Sequence, residues 1–416
     1  MVFTAAFCFA GNAQAQQTYT WAQVKDKFQA NNPTIRAGQD AIAESKSQEI
    51  TAFLRPNPGL TLSTDGTQLV PARGGYRPFA GTQFGPNVSY LHERENKREL
   101  RLDSAKHGTQ IAVSQQDDLI RNLLFNLRSS FVSALQAKAV RDVAKDNLDY
   151  YDKFLGVSRD RLQAGDIAQV DMMRLDLQRV QYESDLQTAE VNYRTSKIEL
   201  LQLMNERTPI EQFDVNGPFD FSENPIPLDE VRRIALDARP DLRAAVQAIE
   251  KSKIDHDLAV ANGSTDPTYS VWVTHNPSFN NPFDQNTVGA SVSIPLRIFD
   301  RNQGEKERTE IDIRRNERLR DAAVSQVYSD VDSAYATLSS SIVLLRPYKT
   351  KYLDEATKVR DTITFSYQHG GASLLDFLSA ENDYRALRLS YLNLVGSYLN
   401  AAGQLNLAIG REVITQ

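Results

Sequence analysis

The chain has 416 residues, 41% hydrophobic and 24% charged, with a formal net charge of -6 and a mean hydropathy of -0.45. It holds no run of the roughly 18 to 20 apolar residues that a membrane-spanning helix requires, so any bilayer crossing has to be made by strands. The acidic balance, with Lys and Arg scattered rather than clustered, excludes a nucleic-acid partner, which would demand a basic face.

Val2 to Ala10 form a short apolar opening, and Ala13-Gln14-Ala15 after it has the small-residue spacing of a signal-peptidase site, with cleavage expected after Ala15. The opening lacks the Lys or Arg that usually starts a leader. Cys8 is the single cysteine, so the mature chain is expected to carry no disulfide. Acylation of Cys8 is the competing reading, against which stands the large Phe7 in front of it.

A helix is predicted from Trp21 to Leu54, interrupted near its start at Asn32-Pro33 because proline has no N–H to give the preceding turn. The cluster Arg55 to Gly59 ends it. Two strand-like runs follow, Leu60 and Leu62 alternating with Thr61 and Ser63, then Phe84, Val88 and Tyr90 with Gly85, Asn87 and Ser89. Residues 97–164 then read as one very long helix, which at 1.5 Å per residue would reach about 100 Å. Its apolar seam, Leu119, Leu123, Leu127, Val132 and Leu135, does not keep a strict heptad register, which predicts packing on two neighbours. Gln163-Ala164-Gly165-Asp166 stops it, glycine supplying the left-handed conformation of a helix end. A returning helix runs from Ala168 to Asn205, and Glu206 to Pro227 reads as an irregular or short-strand connector.

The second half repeats this order. Pro33, Arg36, Ala37, Ala41, Ile42, Ser45 and Lys46 recur, all displaced by one interval, as Pro240, Arg243, Ala244, Ala248, Ile249, Ser252 and Lys253. Gln163, Gly165 and Asp171 recur at nearly the same interval as Gln368, Gly370 and Asp376, so one ancestral unit has been duplicated. Its copy comprises a helix Leu228 to Asn262 broken at Arg239-Pro240, strand runs Tyr269 to Thr274 and Val288 to Ile298, and a long helical stretch 302–369 with Pro347 inside. The seam of that stretch is Val324, Val327, Val331, Tyr335 and Leu338. The turn Gln368-His369-Gly370-Gly371 and a returning helix Ser373 to Gly410 close the half. The chain therefore divides into a leader 1–15, a first repeat 16–205, a connector 206–227, a second repeat 228–410 and a tail 411–416.

The run Val288 to Ile298 alternates a fully apolar face with a small or polar one, which suits lipid on one side and water on the other. A half-buried sheet in a soluble protein gives the same alternation. Four such runs in one chain cannot close around a pore, and open edges are not tolerated in lipid, so membrane insertion requires several chains to share one barrel.

This duplicated order resembles the TolC-type outer-membrane efflux channels over essentially the whole mature chain. The most specific segments are the two turns, Arg161-Leu162-Gln163-Ala164-Gly165-Asp166-Ile167 with Asp171 after it, and Tyr367-Gln368-His369-Gly370-Gly371-Ala372-Ser373 with Asp376 after it. Asn96-Lys97-Arg98 and Asp300-Arg301-Asn302, each following a strand, also look like the family pattern. The resemblance implies a mainly α fold with a small β part: a homotrimer with an α-helical barrel and a shared 12-stranded β-barrel in outer-membrane lipid. It further implies a tip, here Arg161, Leu162, Gly165, Asp166, Gly370, Gly371, Ala372 and Ser373, that meets a periplasmic adaptor coupled to an inner-membrane pump of the RND type. Asp171, Tyr367 and Asp376 match the family's pore constriction. Ala372 stands where its arginine falls and Ser379 where a second carboxylate falls, so the network is incomplete. The turn and strand segments look closer to channels serving heavy-metal pumps, such as the CzcC group, than to multidrug ones.

In a symmetric trimer an inward Asp becomes a ring of three like charges that favours cations. The plainer reading of Asp171 and Asp376 is that they complement the dipole at helix starts. A periplasmic coiled-coil adaptor is the alternative for the whole chain, but that class carries a single hairpin. No catalytic chemistry is legible: the five histidines, His92, His107, His256, His275 and His369, lie far apart. Phosphate-binding glycine loops and nucleophile elbows are absent, and no cofactor or metal site is expected.

Overall fold

A computed structural model of the chain describes residues 17–71, 75–79, 81–223, 226–276 and 285–414. The expected leader and Cys8, with the two readings attached to them, lie outside these residues. In chain order the elements are β1 (Gln17–Tyr19), α1 (Trp21–Asn31), α2 (Pro33–Phe53), β2 (Gly59–Asp65), β3 (Gln83–Leu91), α3 (Lys97–Ala164) and α4 (Gln169–Leu203). There follow β4 (Phe213–Val215), α5 (Leu228–Ala238), α6 (Pro240–Asn262), β5 (Thr268–His275), β6 (Asn286–Ser293), α7 (Gln303–Pro347), α8 (Leu353–Gln368) and α9 (Leu374–Ile409). The fold is mainly helical with a small β part, and the order helix, helix, strand, strand, long helix, returning helix occurs twice.

The predicted breaks fall where the chemistry places them. Asn32 Oδ1 accepts from the Thr34 and Ile35 amides at 2.9 and 3.1 Å, capping α2, and Pro33 fills the first helical position, where no N–H is needed. In the second copy Arg239 takes the place of Asn32. It is buried, and its Nη1 donates to Asp330 at 2.8 Å and to the Ala408 carbonyl at 3.3 Å. The expected second rod is interrupted: after Pro347 the backbone widens into a π-helical turn, Tyr348–Tyr352, before α8 begins. Proline lacks the N–H that would continue the ladder, and a wider turn absorbs the mismatch.

One compact unit comprises the described residues of Met1–Gly38, Gln116–Pro240 and Val324–Gln416. Within it β1 and β4 pair in parallel, Thr18 opposite Asp214, so the connector supplies a strand that no periodicity announces. Phe213 and Val215 turn inward onto Val24, Phe28, Leu127, Phe131, Leu200 and Met204, which makes one core. A second core gathers Tyr151, Phe154, Leu175, Tyr182, Tyr367 and Phe377.

The other unit comprises Asp241–Ala323 and Gln39–Gln115, again in their described residues. Its sheet is antiparallel in the order β2-β3-β5-β6. Register places Leu60, Val88, Val271 and Ala290 in one row across all four strands, and Tyr90, Tyr269 and Val292 in another. The intervening row is Gly59, Ser89, Ser270 and Ser291. One face is thus mostly apolar and the other mostly small and polar, with Trp272 and Leu91 the large apolar residues on it, as successive residues of a strand point to opposite sides. Leu62 is 76% exposed and Val288 is 77% exposed, so nothing among the described residues covers that apolar face there. Strand β6 stops at Ser293, short of the expected Ile298, because Pro295 has no N–H for the ladder.

Two carboxylates anchor the sheet to the start of α3, Glu93 through Arg101 and Asp266 through Lys97. Asp266 accepts the Arg94 amide at 2.9 Å and Lys97 Nζ at 2.6 Å, and Nζ also donates to the Ser264 carbonyl at 3.2 Å. The Lys97 side chain is 3% exposed. Removing one partner of a buried pair strands the other charge. Asp266→Ala is therefore expected to destabilise the protein by about 3 kcal/mol, read as a lowered thermal midpoint of the purified protein in detergent. An unchanged midpoint would mean that Lys97 finds another acceptor.

Candidate functional site

The two helix reversals are built alike. At the first, Gly165 has φ +81°, its amide donates to Leu162 O at 3.0 Å, and the Asp166 amide reaches Arg161 O at 2.9 Å. At the second, Gly370 has φ +76°, its amide donates to Tyr367 O at 3.2 Å, and the Gly371 amide reaches Ser366 O at 2.7 Å. Both are left-handed helix ends with the long closing bond of a Schellman turn. A side chain at either glycine would have open space around it, so it is backbone conformation alone that calls for glycine there.

The structure brings the sequence-predicted residues of the two turns together. Arg161 on α3 crosses to the second turn: its Nη1 donates to the Tyr367 carbonyl at 3.0 Å, and its guanidinium sits 5.4 Å from the centre of the Tyr367 ring. Tyr367 lies 5.4 Å from Phe377 and 5.8 Å from Phe154, and those two phenylalanines stack at 4.0 Å. Leu162 and Ala372 pack against the edge of this cluster. Arg161, Asp166, Asp171, Tyr367, Gly370, Ala372 and Ser373 line an open depression of about 460 Å³, joined there by Arg174 and Leu375. Asp166, Gly165, Gly370, Gly371 and Ser373 are exposed.

The two aspartates that the duplication makes equivalent have different partners. Asp376 closes a capping box with Ser373: its Oδ2 accepts from the Ser373 amide at 3.1 Å and hydroxyl at 2.7 Å, while its own amide donates to the Ser373 Oγ at 3.2 Å. The Ser373 hydroxyl and amide hold the Asp376 carboxyl below the usual carboxylate range. In the first copy the residue before the helix is Ala168, which has no hydroxyl to cap with. The Asp171 carboxylate is left with Arg174 at 4.0 Å, and it borders the depression.

Tyr367 is 6% exposed, and its hydroxyl has no hydrogen-bond partner among the described residues. Burial pushes the hydroxyl's pKa up; Arg161 opposes this and Asp171 adds to it. Phe154 and Phe377 are the site residues that spacing does not single out. The signal that marks them is aromatic character at positions facing the turn, one heptad before Arg161 and one residue past Asp376. Among the described residues no group of His, Cys, Asp and Glu is arranged to hold a metal ion, and no helix is long and apolar enough to cross a membrane.

An unpaired buried hydroxyl costs its desolvation with nothing in return. Tyr367→Phe is therefore expected to leave the protein as stable or to gain about 1 kcal/mol, whereas Phe154→Ala loses about 3 to 5 kcal/mol. Thermal midpoints of the two variants check this. A clear loss with Tyr367→Phe would show that the hydroxyl is in use.

Comparison with known proteins places this geometry. Residues 24–206 and 231–411 match the family described as outer membrane efflux protein. The chain is 24% identical over 333 residues to the cobalt-zinc-cadmium resistance protein CzcC of Cupriavidus metallidurans, covering 77% of this chain and 75% of that protein. Its fold is similar to that of CusC, with a TM-score of 0.78, 17% identity, and coverage of 94% and 92% of the two chains. It is also similar to the open state of the Neisseria gonorrhoeae MtrE outer membrane channel, with a TM-score of 0.75, 16% identity, and coverage of 94% and 89%. With the outer membrane protein VceC of Vibrio cholerae the TM-score is 0.75, the identity 14%, and the coverage 94% and 96%. Matched over both of its halves, the chain belongs to the outer membrane efflux protein family.

Proposed function

We propose that three copies of this chain assemble into one passive exit duct. Their sheets close a shared barrel of twelve strands in the outer membrane, four from each copy. Their helices carry the duct into the periplasm as an α-helical barrel. The paired turns meet a periplasmic adaptor, which couples the duct to an inner-membrane pump of the RND type that supplies the energy. The observation that carries this reading is the sheet itself. Its apolar face is uncovered, and β2 and β6 are each paired on one side only among the described residues. Hydrocarbon supplies no hydrogen bonds to such edges, and each unmet backbone group costs several kcal/mol there. Neighbouring copies supply what water does in solution.

The cargo we assign is a divalent transition-metal cation, on the strength of the likeness to the cobalt-zinc-cadmium resistance protein. Loss of the chain in its host then lowers tolerance to such ions. Asp171 is the group placed to act on a passing cation, because its carboxylate is not committed to a cap. Three copies of it around one axis make an acidic ring.

The assembly is tested by light scattering of the purified protein in detergent, where a trimer is expected and a detergent-independent monomer would overturn the reading. Selectivity is tested in planar bilayers. Asp171→Asn is expected to lower the cation-to-anion permeability ratio roughly twofold, with Asp376→Asn changing it much less. Equal effects of the two substitutions would remove the distinction drawn between the aspartates.

A further inference from the structure

Glu381 lies in α9, two turns past the capping box, and belongs to none of the groups described so far. It is 3% exposed and its Oε1 has no hydrogen-bond partner among the described residues. A buried carboxylate is costly unless paired, so the neighbours decide its state. Two arginines are close, and both are committed elsewhere. Arg360 of α8 bonds Asp361 at 2.7 Å and stacks over the rings of Tyr384 at 4.1 Å and Tyr150 at 4.9 Å. Arg385 of α9 is bonded to Asp185 of α4 and stacks over Tyr182 at 4.1 Å. From α3, Tyr151 stacks on Tyr182 at 4.4 Å, and the Tyr150 hydroxyl donates to Thr364 of α8 at 3.2 Å. Every helix of the two hairpins, α3–α4 and α8–α9, thus sends an aromatic or charged group to the surroundings of one carboxyl.

We propose that Glu381 is a proton-operated latch: its neutral carboxyl lets the hairpins α3–α4 and α8–α9 close on one another, and loss of the proton loosens them. Once ionised, the carboxylate must draw Arg360 away from Asp361, Arg385 away from Asp185 or the Tyr150 hydroxyl away from Thr364, or admit water. Each route disrupts aromatic stacking between the hairpins. The surroundings are consistent with this. Burial raises the Glu381 pKa from 4.5 to about 7, with Arg360 and Arg385 only partly offsetting burial, Asp361 adding to it and the Tyr150 hydroxyl opposing it. The sign follows from linkage. Below about pH 4.5 the group is protonated whether the junction is closed or open, and there is no cost. The cost of closure grows as pH rises from there and is complete above about pH 7, so acid favours the closed junction.

The test is hydrogen exchange on the full-length protein in detergent, from about pH 5.5 to about pH 8.5, with rates corrected for intrinsic exchange. In the wild type, opening of 148–185 and 355–385 is expected to rise on the order of tenfold over this range, while the core around Phe28 and Phe131 stays level. Glu381→Gln, which cannot ionise, is expected to stay closed at every pH. A flat wild-type profile, a rise shared equally by the other core, or an unchanged slope in Glu381→Gln would each overturn the latch. The wild-type profile decides even if the variant fails to fold. The consequence for transport rests on the duct reading: conductance in bilayers should rise with pH in the wild type only. Conductance that ignores pH sinks the latch and spares the duct, whereas a protein that never conducts sinks the duct and leaves exchange to judge the latch.

Discussion

A strand edge must find hydrogen-bond partners, and that requirement organises this molecule. The four-stranded sheet satisfies its interior through β3 and β5 and, among the described residues, leaves β2 and β6 open. In water such edges are blunted by charge, proline or short length. Here the paired row Leu60, Val88, Val271 and Ala290 runs out to both edges with no charged side chain in it. A surface of that kind is a liability in solution and an asset in a closed barrel. Duplication fits the same need, since each half contributes one strand pair and the register between β3 and β5 joins the two pairs into a single sheet.

The helical part answers a different constraint. Long helices cannot enclose a globular core, so they bury narrow seams, and burial concentrates where several helices converge. Among the described residues of the unit that holds the turns, one such place lies around Phe28, Phe131 and Phe213 and another around Phe154, Tyr182 and Phe377. The second is unusually aromatic. Flat rings stacked at 4.0 to 4.4 Å give large contact area between helices. Arginines laid over the same rings bring charge in without a matching interior carboxylate. That arrangement leaves Glu381 as the interior acid with an unmet oxygen.

Much of the fold was legible from residues alone. The proline breaks at Asn32-Pro33 and Arg239-Pro240, the glycine reversals at Gly165 and Gly370, and the strand alternation around Val88, Val271 and Val292 are local signals, and local chemistry decides them. What escaped was non-local. β1 is three residues long, too short for periodicity, and the short strand expected in the connector gave no sign that it pairs with β1, Thr18 opposite Asp214. The stacked pair Phe154 and Phe377 comes from different repeats. Pro347 was visible as a breaker, but whether a proline ends a helix, kinks it or widens one turn depends on what the neighbouring turns can rearrange. The strand ending at Ser293 shows the reverse error: alternation through Ile294, Leu296 and Ile298 continued past the point where Pro295 withdrew a donor.

The candidate aspartates show how far a repeat can be trusted. Asp171 and Asp376 occupy one position in two copies of an ancestral unit, and spacing alone makes them interchangeable. What separates them is the residue three places earlier. Ser373 offers a hydroxyl, and the Asp376 carboxylate turns to it and to the amide behind it. Ala168 offers nothing, so the Asp171 carboxylate borders the depression between the turns with Arg174 4.0 Å away. A single carboxylate either caps a helix start or faces outward, and the two copies take one arrangement each. Divergence of the capping residue, rather than of the acid, is the smallest change that lets two identical side chains do different work.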